Sequence, residues 1–190
     1  MGAVKDRPLL HFATAPEWEA WLEQNVDHEG IRLQLRKKGT TKPGMLYPEA
    51  LDVALCWGWI DGQAGSIDAD YFYNGFSPRR TRSPWSQINR DHVARLIAEG
   101  RMRPPGLAEV ERAKADGRWD AAYRQKDAEI PEDLALALAA NPAAAAAFAS
   151  VSSQNRFAIL FRIGNVKRAE TRAAKIATYV AMLERGETLH

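Results

Sequence analysis

The densest set of groups able to do chemistry lies between Trp57 and Asn89. Arg79 and Arg80 are followed by Ser83, Trp85, Ser86 and Asn89. Ser83-Pro84 reads as a helix N-cap with proline at the first helical position. A helix opening there presents unbonded N–H groups and the positive end of its dipole. Arginines just before it add forked donors that suit carboxylate or phosphate. The chemistry expected of Arg79, Arg80, Ser83, Ser86 and Asn89 is therefore recognition of a small anion. Trp57, Trp59 and Trp85 would wall such a pocket or stack a planar ligand, with core packing as the competing use. Asp61 follows Trp59 by two residues, so both face one side of a strand. It would serve as an acid or base, or fix an arginine.

Charge is segregated along this stretch. From Leu46 to Gly75 there are five acidic residues (Glu49, Asp52, Asp61, Asp68 and Asp70) and no lysine or arginine. From Phe76 to Arg103 there are seven arginines against Asp91 and Glu99. The two blocks either neutralise each other in the fold, with the arginines paired to Asp61, Asp68 or Asp70, or leave the arginines for an anion.

Other chemistry is thin. Cys56 is the single cysteine and lies in an apolar helix pattern, so an inert buried thiol is expected and no disulfide framework exists. The four histidines (11, 28, 92 and 190) show no metal-binding spacing, and neither a P-loop nor a dinucleotide-binding glycine motif occurs. No metal and no cofactor are expected. Lys167, Arg168, Arg172 and Lys175 recur at about one-turn spacing, a pattern more typical of a solvated face than of a binding stripe.

The elements that must position these residues follow from periodicity. Ile31, Leu33 and Leu35 alternate with polar residues, which predicts a half-buried strand. A helix with Leu51, Ala54 and Leu55 on one face runs into Gly58, and Trp59-Ile60 opens a strand. Asn74-Gly75 among Tyr71, Phe72, Tyr73 and Phe76 predicts a tight hairpin, or else a bulge in one continuous strand. The helix after Ser83 should carry Trp85, Ile88, His92 and Leu96 on one face. From Pro131 onward the pattern is helical throughout, with starts at Pro131, Asn141-Pro142 and Ser153. The fold expected is α+β: a small mixed sheet with helices over residues 1–125, and a helical C-terminal subdomain over 131–190, a bundle of short helices packed on it. Tyr123 to Ile130, polar and charged, is the expected linker.

The chain has 190 residues, 46% hydrophobic and 26% charged, with a formal net charge of +2. These values exclude a disordered or collagen-like chain and fit an ordinary globular protein. The weak net charge and the lack of a basic tract interleaved with aromatics argue against a dedicated nucleic-acid binder. No apolar run is long enough for a membrane span, and the first residues lack a continuous apolar segment, so a cytoplasmic location is expected.

Several runs together carry a resemblance. These are Ala54-Leu55-Cys56-Trp57-Gly58-Trp59-Ile60-Asp61-Gly62, then Phe76-Ser77-Pro78-Arg79-Arg80 with Ser83-Pro84-Trp85-Ser86 and Asn89. Gly100-Arg101-Met102, Gly117-Arg118-Trp119-Asp120-Ala121-Ala122-Tyr123, and Lys167, Glu170-Thr171-Arg172 and Ile176 continue it. The chain resembles the YdeI/OmpD-associated, or bacteriocin-protection, family from about Phe12 to Gly186. It departs at Trp57, where phenylalanine is usual, at Val166, where alanine is usual, and at Lys175. The resemblance implies a part in resistance to bacteriocins or antimicrobial compounds.

Three functions follow as expectations. The first is a module that binds a small anionic molecule, planar or not, through Trp57, Trp59, Asp61, Arg79, Arg80, Ser83, Trp85, Ser86 and Asn89. The second is an enzyme using the same pocket, although no nucleophile, base and oxyanion donors can all be named. The third is a weak binder of nucleic acid or an anionic surface.

Overall fold

The computed structural model describes residues 6–123 and 129–189. The linker expected at Tyr123–Ile130 falls largely on residues 124–128, outside the described residues, as does His190. The chain divides into two compact units, Met1–Ala122 and Tyr123–His190.

The first unit is α+β. Its elements are β1 (Leu9–His11), α1 (Ala15–Gln24), β2 (Ile31–Arg36), α2 (Tyr47–Cys56), β3 (Trp59–Ser66), β4 (Tyr71–Pro78), α3 (Gln87–Ala98) and α4 (Pro104–Ala115). The sheet order is β1-β2-β4-β3. β1 runs parallel to β2, and the other pairs are antiparallel, so the small sheet is mixed. β1 has only three residues and no alternation of its own, which is why it escapes a periodicity search. In β2, Ile31, Leu33 and Leu35 are fully buried and the polar residues between them are half-buried, as their alternation requires. They form one core with Trp18 and Leu22 of α1, the apolar side of α2, Trp59, Phe76, and Val93 and Leu96 of α3.

Three local expectations are corrected. Asn74-Gly75 does not turn: β4 continues through it, pairing with β2 on one side and β3 on the other. The hairpin turn lies at residues 67–70, between β3 and β4, where the Asp68 carboxylate accepts the N–H groups of Asp70 and Tyr71. The bulge is on β3, where one extra residue intervenes between Asp61, opposite Phe76, and Ala64, opposite Asn74. Ser83 does not cap α3. Ser86 does, its Oγ accepting the Asn89 N–H at 3.2 Å, while Ser83-Pro84-Trp85 stays outside the helix. Because Trp85 precedes the helix, it does not set the helical phase. Val93 and Leu96 face the core, and Ile88 is 54% exposed.

α2 and α4 approach closely at Gly106, where any Cβ would collide with the carbonyl of Cys56. That same carbonyl accepts the Arg103 N–H at 3.1 Å.

The second unit is helical among its described residues: α5 (Glu132–Ala139), α6 (Pro142–Ser150), α7 (Ser153–Gly164) and α8 (Ala169–Glu184). Asn141 and Ser152 cap α6 and α7 with their side-chain oxygens, so the cap of α7 stands one residue before the Ser153 start expected. Leu134, Phe148, Ile159, Ile163, Ile176 and Leu183 belong to a core of the unit's own.

Candidate functional site

The sequence block from Trp57 to Asn89 separates into residues that build the scaffold and residues that reach an open surface. Trp59 is fully buried, edge-on to Trp18 and Trp21, and its Nε1–H donates to the Val26 carbonyl at 3.0 Å. It therefore walls no pocket. It pins the loop between α1 and β2 to the edge of the sheet. Trp57 packs against the same core from the end of α2. Asp61 accepts a hydrogen bond from the Tyr47 hydroxyl at 2.9 Å. Burial, with the Asp61 charge added to it, pushes the Tyr47 phenol well above its ordinary value.

Arg79 is 5% exposed. Its N–H donates to the Gly58 carbonyl at 3.0 Å, its Nη1 donates to the Pro84 carbonyl, and its guanidinium lies on the face of Trp85. Ser83 closes a turn: its Oγ accepts the Arg80 N–H, its own N–H donates to the Arg80 carbonyl, and its carbonyl accepts from Arg118. Trp85 is buried and meets Trp119 edge-on at 4.9 Å. Ser86 and Asn89 are used in capping α3.

The acidic and basic blocks do pair, but through Asp52 and not through Asp61, Asp68 or Asp70. Asp61, Asp68 and Asp70 are paired with no arginine among the described residues; Asp70 accepts from the Thr40 hydroxyl. Asp52 on α2 is the acid that pairs. Both its oxygens accept from Arg95 Nη2 at 2.7 and 2.6 Å, and His92 Nδ1 lies 3.0 Å from Oδ1. Arg101 stands 3.6 Å away and Glu99 bridges the two arginines. Burial alone would raise the Asp52 carboxyl; the bonds from Arg95 and His92 outweigh it and hold the group below the usual carboxylate range.

An open cleft of about 680 Å³ lies at one end of the sheet. Three chain segments form it: Asp6-Arg7-Pro8 before β1, Asp27-His28-Glu29-Gly30 before β2, and Ser77-Pro78-Arg79-Arg80 at the end of β4. They meet because Ile31 opens β2 opposite Phe76, while Arg32 holds the Pro8 carbonyl with its N–H and the Arg7 carbonyl with its Nε. Gly30 sits between the flanking segments at φ +121°, in the region that favours glycine. A Cβ there would fall 2.6 Å from Arg7 Nη1 and 2.7 Å from the Phe76 carbonyl oxygen. The absence of a side chain lets the Arg7 guanidinium lie over Gly30. His28 Nδ1 accepts the Gly30 N–H at 3.1 Å, so the neutral ring carries its proton on Nε2. Of the nine residues singled out in the sequence, only Arg79 and Arg80 line this cleft. Arg7, His28, Gly30 and Ser77 were missed; the glycine directly before a clear strand was the one local signal.

In the second unit, Arg172 is a tie. Nε and Nη2 hold both carboxylate oxygens of Asp133, and Nη1 donates to the Ile163 carbonyl at 2.8 Å, joining α8 to α5 and α7. This removes Arg172 from the basic face expected along α8. Among the described residues no helix is long and apolar enough to cross a membrane.

Residues 10–109 match the family model described as a domain of unknown function, DUF8412, which is more than half of the chain. The chain belongs to the DUF8412 family. Residues 127–186, within the C-terminal unit, match the model described as bacteriocin-protection, YdeI or OmpD-associated. No curated protein and no solved structure matches the chain. The DUF8412 stretch holds the Cys56–Gly62 and Phe76–Asn89 runs and the whole cleft except Asp6, Arg7 and Pro8; Arg118 and Trp119, which hold Ser83 and Trp85, lie past its end. Within the stretch 127–186, the Glu170-Thr171-Arg172 run supplies the tie to Asp133.

Proposed function

We propose that the N-terminal unit binds a small anionic molecule in the cleft at the end of the sheet. The observation that carries this reading is the convergence of Arg7, Arg79 and Arg80 from two distant segments on one concave surface, with Gly30 leaving room for Arg7 to reach it. Arg79 is held in place by Trp85 and the Gly58 carbonyl, and so fixes the backbone from which Arg80 projects. Arg80 is exposed and Arg7 half-exposed, and both can turn a guanidinium toward a carboxylate or phosphate. Trp59 holds the opposite loop at Val26. The ligand's class is set by this pairing and not by aromatic stacking, because Trp59 and Trp85 are interior.

A cytoplasmic location belongs to this reading, as does a protective role in which the protein holds an antimicrobial compound or its fragment. The protective role is supported by the description of the family model matched within the C-terminal unit.

Calorimetric titration of the full chain with inorganic phosphate tests the proposal. One charge-assisted hydrogen bond contributes about 1.5–3 kcal/mol, so Arg80→Ala and Arg7→Ala should each weaken binding about tenfold or more with unchanged melting. Phosphate that does not bind, or binds both variants as it binds the wild type, overturns it.

A further inference from the structure

We infer that the cleft takes a dipolar ligand, with a carboxylate or phosphate at one end and an ammonium group at the other. This rests on the reading of the cleft as an anion site. The cleft carries both signs of charge. Asp27 and Glu29 stand on the middle segment, and Arg7 and Arg80 on the two flanking it. Among the described residues none of these four stands in an ion pair. Elsewhere in the same unit, charges brought near an opposite partner do pair: Asp52 with Arg95, Glu19 with Arg103, Asp116 with Arg118.

The backbone accounts for the separation. The middle loop is pinned at Val26 by Trp59 and at Gly30 by His28. The first segment is pinned at Arg7 and Pro8 by Arg32, and the third at Arg80 by Ser83. Opposite charges held apart across an open, concave surface attract a molecule whose own charges are separated. A ligand with only negative charge gains the arginines but meets Asp27 and Glu29, and one with only positive charge meets the reverse. A dipolar molecule satisfies both sets. The cleft's volume suits a small molecule of this kind.

The test compares two dipolar compounds with their parent anions by calorimetry on the full chain: O-phosphoethanolamine against inorganic phosphate, and β-alanine against acetate. At least one dipolar compound should bind tenfold or more tightly than its parent, and the pair that does so names the anionic group. The double variant Asp27→Asn, Glu29→Gln should erase that advantage and leave the parent anion bound as well as before or better. Both positions are exposed, so neither change removes a core contact. If neither dipolar compound outbinds its parent, or the advantage survives the double variant, the inference is overturned while the anion site stands. If no anion binds at all, the anion reading fails and this inference fails with it.

Discussion

The Arg79 guanidinium carbon lies 3.5 Å from the ring centroid of Trp85. Trp85 in turn meets Trp119 edge-on, and the Arg90 guanidinium stands 5.1 Å over Trp119. The series Arg79–Trp85–Trp119–Arg90 thus alternates cation and indole at its two ends. It joins the end of β4, the start of α3 and the segment after α4. An arginine held this way is part of the interior, and its first role is mechanical.

Arg79→Ala should therefore lower stability by about 2 kcal/mol or more, since a desolvated cation–π contact is lost along with the bond to the Pro84 carbonyl. Arg80→Ala, at an exposed position, should stay within about 0.5 kcal/mol of the wild type. Urea melts followed by tryptophan fluorescence compare the two. Equal melts would contradict the division of labour between the neighbouring arginines.

Asp52 makes stability depend on acid. Its carboxyl titrates lower in the fold than in the unfolded chain. The stability it contributes is therefore complete above the ordinary aspartate range and is lost as pH falls through its depressed folded value. Asp52→Asn should be the less stable protein at neutral pH, and its deficit should shrink as the solution is acidified. Urea melts of both proteins from neutral to strongly acid pH measure this; a deficit that stays constant across that range would show that the pairing with Arg95 and His92 does not carry the effect.

Cys56 should react slowly. Burial, opposed by Arg101 and Arg103 and aided by Glu19 and Asp52, pushes its thiol up to about 11. Little thiolate exists at neutral pH, and the side chain is buried. A disulfide reagent should label the denatured chain at once and the native chain only at the rate of opening. Cys56→Ala should cost about 1 kcal/mol and leave phosphate binding unchanged, because Cys56 does not line the cleft.

What could be read in the sequence was whatever depended on neighbours along the chain. Ile31, Leu33 and Leu35 announce β2 because one face of that strand is wholly interior. Asn74-Gly75 misleads for a tertiary reason: β4 is flanked on both sides, so its ladder overrides a dipeptide that would turn in isolation. Ser83 and Ser86 both precede helical residues, and Pro84 favours the wrong one. The structure instead uses Ser83 to hold the turn at Arg80. The charge blocks do meet, through Asp52, because α2 packs beside α3. The cleft could be read only in part. Arg79 and Arg80 share a run, whereas Arg7, His28 and Gly30 join them only once β1, β2 and β4 are laid side by side.

The contact between Trp85 and Trp119 has a consequence for how the chain is made. The stretch that matches the DUF8412 model ends at residue 109, yet Trp85 is covered by a ring ten positions further on, and the Ser83 carbonyl is held by Arg118. The segment matched by the family model is shorter than the segment that folds. During synthesis the sheet and its first helices emerge with the Trp119 side of Trp85 uncovered, and that side closes only after residue 119 has left the ribosome. A fragment cut at residue 109 would remain in that unfinished state, with an apolar ring open to whatever protein surface it met first.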